Sequence, residues 1–442
     1  MSTAAIPRAD STHAGSGEPG APTIGYLYPS GWGNLGDEAI QQSAVAAFRT
    51  VWPDSRIRAF TMNPAATAAN HGIAAEPITG VSHRYNYIRF DDVPAALRAL
   101  ASAVDRVQRP WTLHRLLRHI ETGVRIVVME ARSVARAWRW LADAGLFVAA
   151  GGGQLDDSWG GAWGHPYALA RWAWLARRRR VPFVMLSVGF GQAASWLSRA
   201  FLRYAVNRSH YCSLREEASR ELVRDLGVRV PLSVVPDLAF ALRKAPGDLP
   251  AAPPLRIGLS PMAFRHYRWP DADTRRYQGF VDLWVGLVKD RVARGDRVHL
   301  YTTNPMDEAV VDDIWSRLDP LVLAGCRREH LSTVQELLSL YARVHLVVGT
   351  RLHAVLLALV AERPPVALSY ERKVRTLMRD ARLLPYCIDL EGAAVDQVSA
   401  AIDAVAEHRD QLQSAVARVV ADWRGQVERQ NGLLAGMLTA RA

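Results

Sequence analysis

Short apolar runs that close on glycine and give way to helical stretches recur from residue 23 onward, and this alternation most restricts the fold. The first run, Thr23-Ile24-Gly25-Tyr26-Leu27-Tyr28, leads through a glycine loop into a helix expected over about 38–48. Residues 56–61 read as a second strand. After an Arg- and Trp-rich helical segment at 94–144, strands are expected at 145–150, 181–187, 211–213 and 233–235. Beyond a Pro-, Gly- and Ala-rich stretch, LRKAPGDLPAAPP, a second set follows at 255–259, 298–302, 345–348 and 365–368, with long helices at 274–293 and 332–342. Such alternation implies parallel sheets with helical crossovers.

At 442 residues the chain suits two domains of similar size. The expected plan is a disordered tail (1–22), a first Rossmann-like domain (23–242) and a linker (243–254). A second Rossmann-like domain (255–395) and a helical segment (396–442) complete it. Two doubly wound α/β domains with a long C-terminal helix form the arrangement called GT-B, in which the active site is expected in the interdomain cleft at the carboxyl ends of both sheets. The tail lacks the apolar core of a signal peptide, and no apolar run approaches the ~20 residues needed to span a bilayer. The expected location is cytoplasmic, with peripheral contact at the anionic inner membrane face through the Arg/Trp segment. An ordinary solvated helix face is the alternative for that segment.

The net charge is +11, and of 54 basic residues only Lys244, Lys289 and Lys373 are lysines. This balance suits an acidic substrate or surface. It is spread along the chain instead of forming an arm or stripe, which argues against nucleic acid. Cys212, Cys326 and Cys387 lie far apart, with no metal-ligand spacing and no disulfide arithmetic. Neither a metal nor a bound cofactor is expected.

Gly31-Trp32-Gly33-Asn34-Leu35-Gly36 satisfies G-x-G-x-x-G between strand and helix, a dinucleotide signature when taken alone. Asp37 and Glu38 follow at the helix N-terminus, where a pyrophosphate would sit. Like charges ~4 Å apart repel by roughly 1–4 kcal/mol, which argues against a dinucleotide. Asn34 and Asp37 read either as helix caps or as groups facing sugar hydroxyls, with Asp37 as a base. Gly151-Gly152-Gly153-Gln154-Leu155-Asp156 follows the strand at 145–150. Glycines there admit a ligand close to the backbone, and Gly152, Gly153 and Asp156 are candidate sugar contacts. A tight turn is the plainer reading. Arg215 closes another strand, where its fork would reach phosphate or carboxylate. Asp237 reads as a turn residue.

Gly349-Thr350-Arg351-Leu352-His353-Ala354 joins a strand to an apolar helix, putting Arg351 and His353 at a helix N-terminus that favours anions. A histidine there exchanges protons near neutral pH. Lys373 stands at the next strand end, in Ser369-Tyr370-Glu371-Arg372-Lys373, in a chain almost without lysine. Asp271-Ala272-Asp273 matches a metal-binding D-x-D but reads as a helix cap.

Taken together, Gly33-Asn34-Leu35-Gly36-Asp37-Glu38, Gly151-Gly152-Gly153, Ser213-Leu214-Arg215, Pro236-Asp237-Leu238-Ala239-Phe240, Arg351-Leu352-His353-Ala354 and Tyr370-Glu371-Arg372-Lys373 resemble the polysaccharide pyruvyl transferase family, in the family's order. The resemblance implies transfer of pyruvate from phosphoenolpyruvate, a co-substrate and not a cofactor, onto two hydroxyls of an exopolysaccharide or cell-wall glycan, or of a lipid-linked sugar. It implies donor-binding or catalytic roles for Arg215 and His353, and it places the family's lysine at Lys373. The expected chemistry has Arg215, Arg351 and Lys373 holding the donor, His353 protonating its enol carbon, and Asp37 or Asp156 assisting the sugar hydroxyl. First-domain carboxylates would then face the sugar and second-domain cations the donor.

Two rivals remain at the level of sequence. One is a GT-B glycosyltransferase using a nucleotide sugar. Many that retain anomeric configuration carry two glutamates eight apart, but Arg379 stands eight after Glu371 and Tyr370 eight after Glu362. The other is a non-catalytic glycan-binding or assembly protein of the same fold.

Overall fold

The computed structural model describes residues 22–29, 31–80, 111–158, 160–247, 249, 254–266 and 272–437, with side chains at 111–119 and 121 excepted. The expected tail up to residue 21, residues 94–110 of the Arg/Trp segment, Asp271, and linker positions 248 and 250–253 lie outside the described residues.

Packing divides the chain into two units. The first comprises the described parts of Met1–Gly31, Ala44–Val234 and Asn431–Ala442; the second is Trp32–Ser43 with Val235–Gln430. The Asn34–Asp37 loop and Asp237, both grouped with the first domain by sequence, thus pack with the second unit. Leu35 N–H donates to the Thr303 carbonyl at 2.9 Å, and Asp237 stands 4.0 Å from His353, both partners lying in the second unit.

The first unit holds a seven-stranded parallel sheet in the order β3-β2-β1-β4-β5-β6-β7. Its strands are β1 (Thr23–Tyr28), β2 (Arg56–Thr61), β3 (Ala74–Pro77), β4 (Ala144–Ala150), β5 (Phe183–Val188), β6 (Tyr211–Leu214) and β7 (Ser233–Val234). Helix α1 (Leu35–Val51), whose residues up to Ser43 group with the second unit, follows β1, and α2 (Pro64–His71) follows β2. Then come α3 (Trp111–Trp140), α4 (His165–Arg179), α5 (Trp196–Asn207) and α6 (Glu217–Arg224). Strands β1, β4 and β5 are buried throughout, as strands covered on both faces must be. Phe147 stacks on Trp172 with centroids 4.5 Å apart, and Phe60 meets the same indole at 4.3 Å, forming the aromatic centre of the core.

The second unit holds a six-stranded parallel sheet, β10-β9-β8-β11-β12-β13. Its strands are β8 (Arg256–Ser260), β9 (Arg297–Leu300), β10 (Cys326–Arg328), β11 (Leu346–Gly349), β12 (Pro365–Ser369) and β13 (Cys387–Asp389). The helices are α7 (Thr274–Ala293), α8 (Glu308–Trp315), α9 (Pro320–Leu323), α10 (Val334–Ala342), α11 (Leu352–Val360), α12 (Arg372–Asp380), α13 (Val395–Glu407) and α14 (Arg409–Leu434). Asp273 accepts from Arg276 N at the start of α7, so the D-x-D match contains a helix cap. The expected single C-terminal helix is two, α13 and α14. In each sheet the strand order reverses beside the first strand, at β1/β4 and β8/β11, where doubly wound sheets bind ligands.

Candidate active site

In the second unit β11 runs beside β8, with Gly349 opposite Ser260. Thr350, wholly buried, donates from its amide (3.2 Å) and its hydroxyl (3.0 Å) to the Ser260 carbonyl. This pins the turn and sets Arg351 as the N-cap of α11, with His353 one position into the first turn. Arg351 offers no side-chain acceptor to the α11 amides, and neither does Glu371 at the N-cap of α12. By contrast, Asp273 and Thr333 cap α7 and α10. Two neighbouring helices therefore present first-turn N–H groups without a side-chain cap, the arrangement that favours an anion.

The cations at these termini are paired. Arg351 donates from Nε (2.8 Å) and Nη2 (2.7 Å) to both oxygens of Asp307, a fully buried carboxylate that also accepts from Ala263 N at 3.0 Å. Burial opposes the charge on Arg351, but the fork on Asp307 more than offsets it and holds the guanidinium above its ordinary pKa. Lys373 Nζ lies 2.5 Å from Glu371 Oε2. Burial of Glu371 works against ionisation, yet Lys373, the Tyr370 hydroxyl and Arg351 together hold its carboxyl below the usual range. The expected sorting of carboxylates to the first half and cations to the second does not hold. Asp307 and Glu371 alternate with Arg351 and Lys373; the buried Asp307 requires its partner, while the Lys373–Glu371 pair is part-exposed.

The N-terminal loop docks on the same unit. Asn34 caps α1, accepting from Gly36 N at 3.0 Å, and its Nδ2 donates to Asp37 Oδ2 at 3.0 Å. Asn34 thus fills the capping role and at the same time orients the Asp37 carboxylate. Gly36 is pressed against His353: a Cβ there would sit 2.1 Å from Cγ and 2.2 Å from Nδ1 of the imidazole. On the other side, Nε2 of His353 stands 4.0 Å from Asp237 Oδ2. Asp237 Oδ1 meanwhile accepts from Ala239 N at 3.0 Å, capping a 3-10 turn at Leu238–Ala241. The imidazole is held between Gly36 and a buried carboxylate with which it forms an ion pair once protonated.

The remaining candidates belong to the first unit. Gly151 and Gly152 have φ of 66° and 63°, which only glycine adopts cheaply, and a Cβ on Gly152 would collide with the Tyr28 hydroxyl at 2.6 Å. Gly153 is exposed, with open space where its Cβ would be. Gln154 is wholly buried, donating to the Leu27 carbonyl (3.2 Å) and accepting from His165 Nε2 (2.8 Å), so it serves as a structural tie. Asp156 accepts from Ser158 N at 2.6 Å and lies over Gly191, where a Cβ would come within 1.8 Å of Oδ2. Arg215 lies over Gly189 in the same loop and donates from Nε to Glu216 Oε2 at 3.1 Å. Asp156 and Arg215 therefore flank one loop, 189–191, at the carboxyl end of β5.

Burial lowers the pKa of His165 to about 4. An unfolded histidine takes up its proton near 6.5, so the unfolded chain binds more protons between about pH 6.5 and 4 and the first unit loses stability as pH falls through that window. The loss reaches about 3 kcal/mol. Denaturant midpoints should fall across this range, and the fall should be shallower in His165→Gln; equal slopes would remove His165 as the cause.

Asp307 and the packing role of Gly36 escaped the sequence reading. Asp307 lies in Asn304-Pro305-Met306-Asp307, which reads as another capping turn. Asp237 was visible within its motif but not as the neighbour of His353.

The family model described as polysaccharide pyruvyl transferase matches residues 34–372. A search of curated proteins returns no match. Among solved structures the chain is similar to Anabaena Alr3699/HepE in complex with UDP and glucose, at 13% identity and a TM-score of 0.51 over 94% of this chain and 98% of that one. It is similar to UDP-GlcNAc 2-epimerase from Neisseria meningitidis bound to UDP-GlcNAc, at 9% identity and a TM-score of 0.53 over 94% and 99%. It is also similar to the glycosyltransferase SnogD from Streptomyces nogalater, at 14% identity and a TM-score of 0.51 over 94% and 99%. At such identities the likeness is one of fold, and it bears out the GT-B arrangement. With the family model spanning the loop at Asn34, the turn at Asp237 and the helix start at His353, the chain belongs to the polysaccharide pyruvyl transferase family.

Proposed function

We propose that the protein transfers the pyruvyl group of phosphoenolpyruvate onto two hydroxyls of a sugar in an exopolysaccharide or cell-wall glycan, forming a cyclic ketal and releasing phosphate. The observation that carries this reading is the meeting, within one unit, of Asn34–Asp37, Asp237 and His353, which lie some 200 and 300 residues apart in sequence. In this reading the donor's charged groups take the uncapped amides of α11 and α12, with Lys373 and the outer edge of Arg351 beside them. Because Asp307 and Glu371 already balance these two cations, backbone amides have a larger share in holding the donor than the sequence implies. Arg215 is assigned to an acidic group of the donor, and Gly152, Gly153 and Asp156 to the sugar.

The protonated imidazole of His353 delivers its proton to the donor's methylene carbon, leaving positive charge at C2. A sugar hydroxyl attacks C2, giving its proton to Asp37. The C2–O bond to phosphate then breaks, and the second hydroxyl closes the ketal as its proton passes to the departing phosphate or back to the imidazole. Asp237 holds the imidazole in place and stabilises its protonated form.

The test is incubation with phosphoenolpyruvate and candidate oligosaccharides, scored by phosphate release together with a mass gain on the sugar. A nucleotide sugar consumed in place of phosphoenolpyruvate would establish the glycosyltransferase rival, and glycan binding without phosphate release the non-catalytic one. Gly36→Ala gives a sharper geometric check. Its Cβ must push His353 aside, and misplacement by about 1 Å costs about 100-fold in turnover. The same clash, which reaches the Cβ of His353, should also cost about 1–3 kcal/mol of stability, so turnover is read per folded molecule at a temperature well below the variant's melting transition. Unchanged turnover would show that the imidazole's position is immaterial.

A further inference from the structure

The outer surface of the first unit carries a feature that the proposed reaction does not use. Helix α3 is 30 residues long and presents three faces. One, with Ala137 and Glu130, packs inward: Glu130 accepts from Arg171 (2.8 Å), Tyr167 (3.0 Å) and Gly80 N (2.9 Å) and is thereby neutralised. A second carries apolar residues in the open. Ile120 is 54% exposed, Val124 41%, Val127 67% and Trp138 37%. The interval from Ile120 to Trp138 is five turns at 3.6 residues per turn, so these side chains form one stripe along the helix. A third is basic, with exposed Arg132, Arg136 and Arg139 recurring at i, i+4 and i+7, about a third of a turn around the helix from the apolar stripe.

The end of α4 extends this surface. Trp174 is 41% exposed, and Arg177, Arg178 and Arg180 are exposed with it. The two helices are joined there: Arg179 donates from Nε to the Trp138 carbonyl at 2.9 Å and lies over the Trp138 ring at 4.2 Å, while Arg178 lies 5.7 Å from the Trp174 ring. Guanidiniums stacked on indoles at the surface keep the aromatic rings outward instead of folding them into the core.

From this we infer that the α3–α4 face docks on the surface of an anionic lipid bilayer, with Trp138, Trp174 and the Ile120–Val127 stripe entering the headgroup layer and the arginines engaging lipid phosphates. The partner follows from the combination. Exposed apolar side chains beside an arginine stripe suit an interface that is apolar at one depth and anionic at another, and tryptophan rings settle at that boundary. A soluble polyanion would engage the arginines but leave Ile120, Val127 and two indoles in water, where a monomer seldom keeps such a patch. Among the described residues no helix is long and apolar enough to cross a membrane, so docking is peripheral.

The experiment is flotation of the full chain with vesicles of phosphatidylglycerol and phosphatidylcholine, against phosphatidylcholine alone. The protein should float with the anionic vesicles at least about tenfold more than with the neutral ones, and high salt should release it. Trp138→Ala with Trp174→Ala, and separately Arg177→Glu with Arg178→Glu, should each reduce flotation about tenfold. Arg177 and Arg178 are exposed, so thermal unfolding of the arginine variant should be nearly unchanged, while the tryptophan variant, whose rings are more than half covered, is scored only after its melting transition shows it folded at the assay temperature. Failure of the natural chain to float, or normal flotation of the tryptophan variant, overturns the inference. So does binding to soluble heparin without binding to vesicles, which would assign the face to a polyanion.

Discussion

Replacing His353 by alanine is expected to lower kcat by about 100- to 10,000-fold, the range over which a positioned general acid acts. The expected loss is in kcat more than in KM, because the imidazole acts on the donor's methylene carbon, while donor binding is assigned to the α11 and α12 termini and their cations. The fold should survive. His353 lies at the start of α11, its ring against Gly36 and 4.0 Å from Asp237, and the helix interior behind it is an apolar run that does not depend on it. Asp237→Asn isolates the carboxylate's contribution. Asparagine retains an oxygen to accept from Ala239 N, so the 3-10 turn keeps its cap while the charge facing the imidazole is removed. Turnover should fall, by less than in His353→Ala, because the carboxylate facing the proton donor is neutralised while the imidazole itself remains. Turnover of His353→Ala within threefold of the natural chain would end the assignment of the proton donor.

The second large effect is on stability. Asp307→Ala should destabilise the second unit by about 3–5 kcal/mol, because removing one partner of a buried ion pair strands the other. Asp307 lies beneath three loops: it accepts from Ala263 N after β8, it sits beyond the end of β9, and it takes the Arg351 fork after β11. Its loss leaves a guanidinium and an amide without their acceptor at once. The melting transition of that unit should fall by about 6–20 °C. Asp307→Asn, which keeps one acceptor, should fall less. A transition unmoved in both variants would mean that Arg351 is satisfied elsewhere and that the three loops are held by other contacts.

The sequence revealed most where the signal is local. Strand β1 is found at 23–28 and β2 at 56–61, as expected: β1 is a short run buried throughout, and β2 alternates Arg56 and Arg58 with apolar residues before its buried end at Ala59–Thr61. The edge strands β3, β10 and β13 were not expected. They are four, three and three residues long, and their mixed side chains carry no period. The candidate site divides in the same manner. Arg351, His353, Lys373 and Asp37 were legible because each stands at the junction of a strand with a helix. Asp307 was not, since an acid after Asn-Pro-Met looks like any turn residue until its partner is in place.

The residues alone determined two doubly wound sheets, the positions of their ligand-binding ends and the types of group found there. Those properties follow from hydrophobic periodicity and from helix termini, which act over a few residues. Only the tertiary structure decided that Asn34–Asp37 joins the second unit, that Gly36 and Asp237 enclose His353, and that Arg351 and Lys373 stand already paired with carboxylates. These depend on single hydrogen bonds and close contacts between segments hundreds of residues apart, and no local pattern records a contact of that kind.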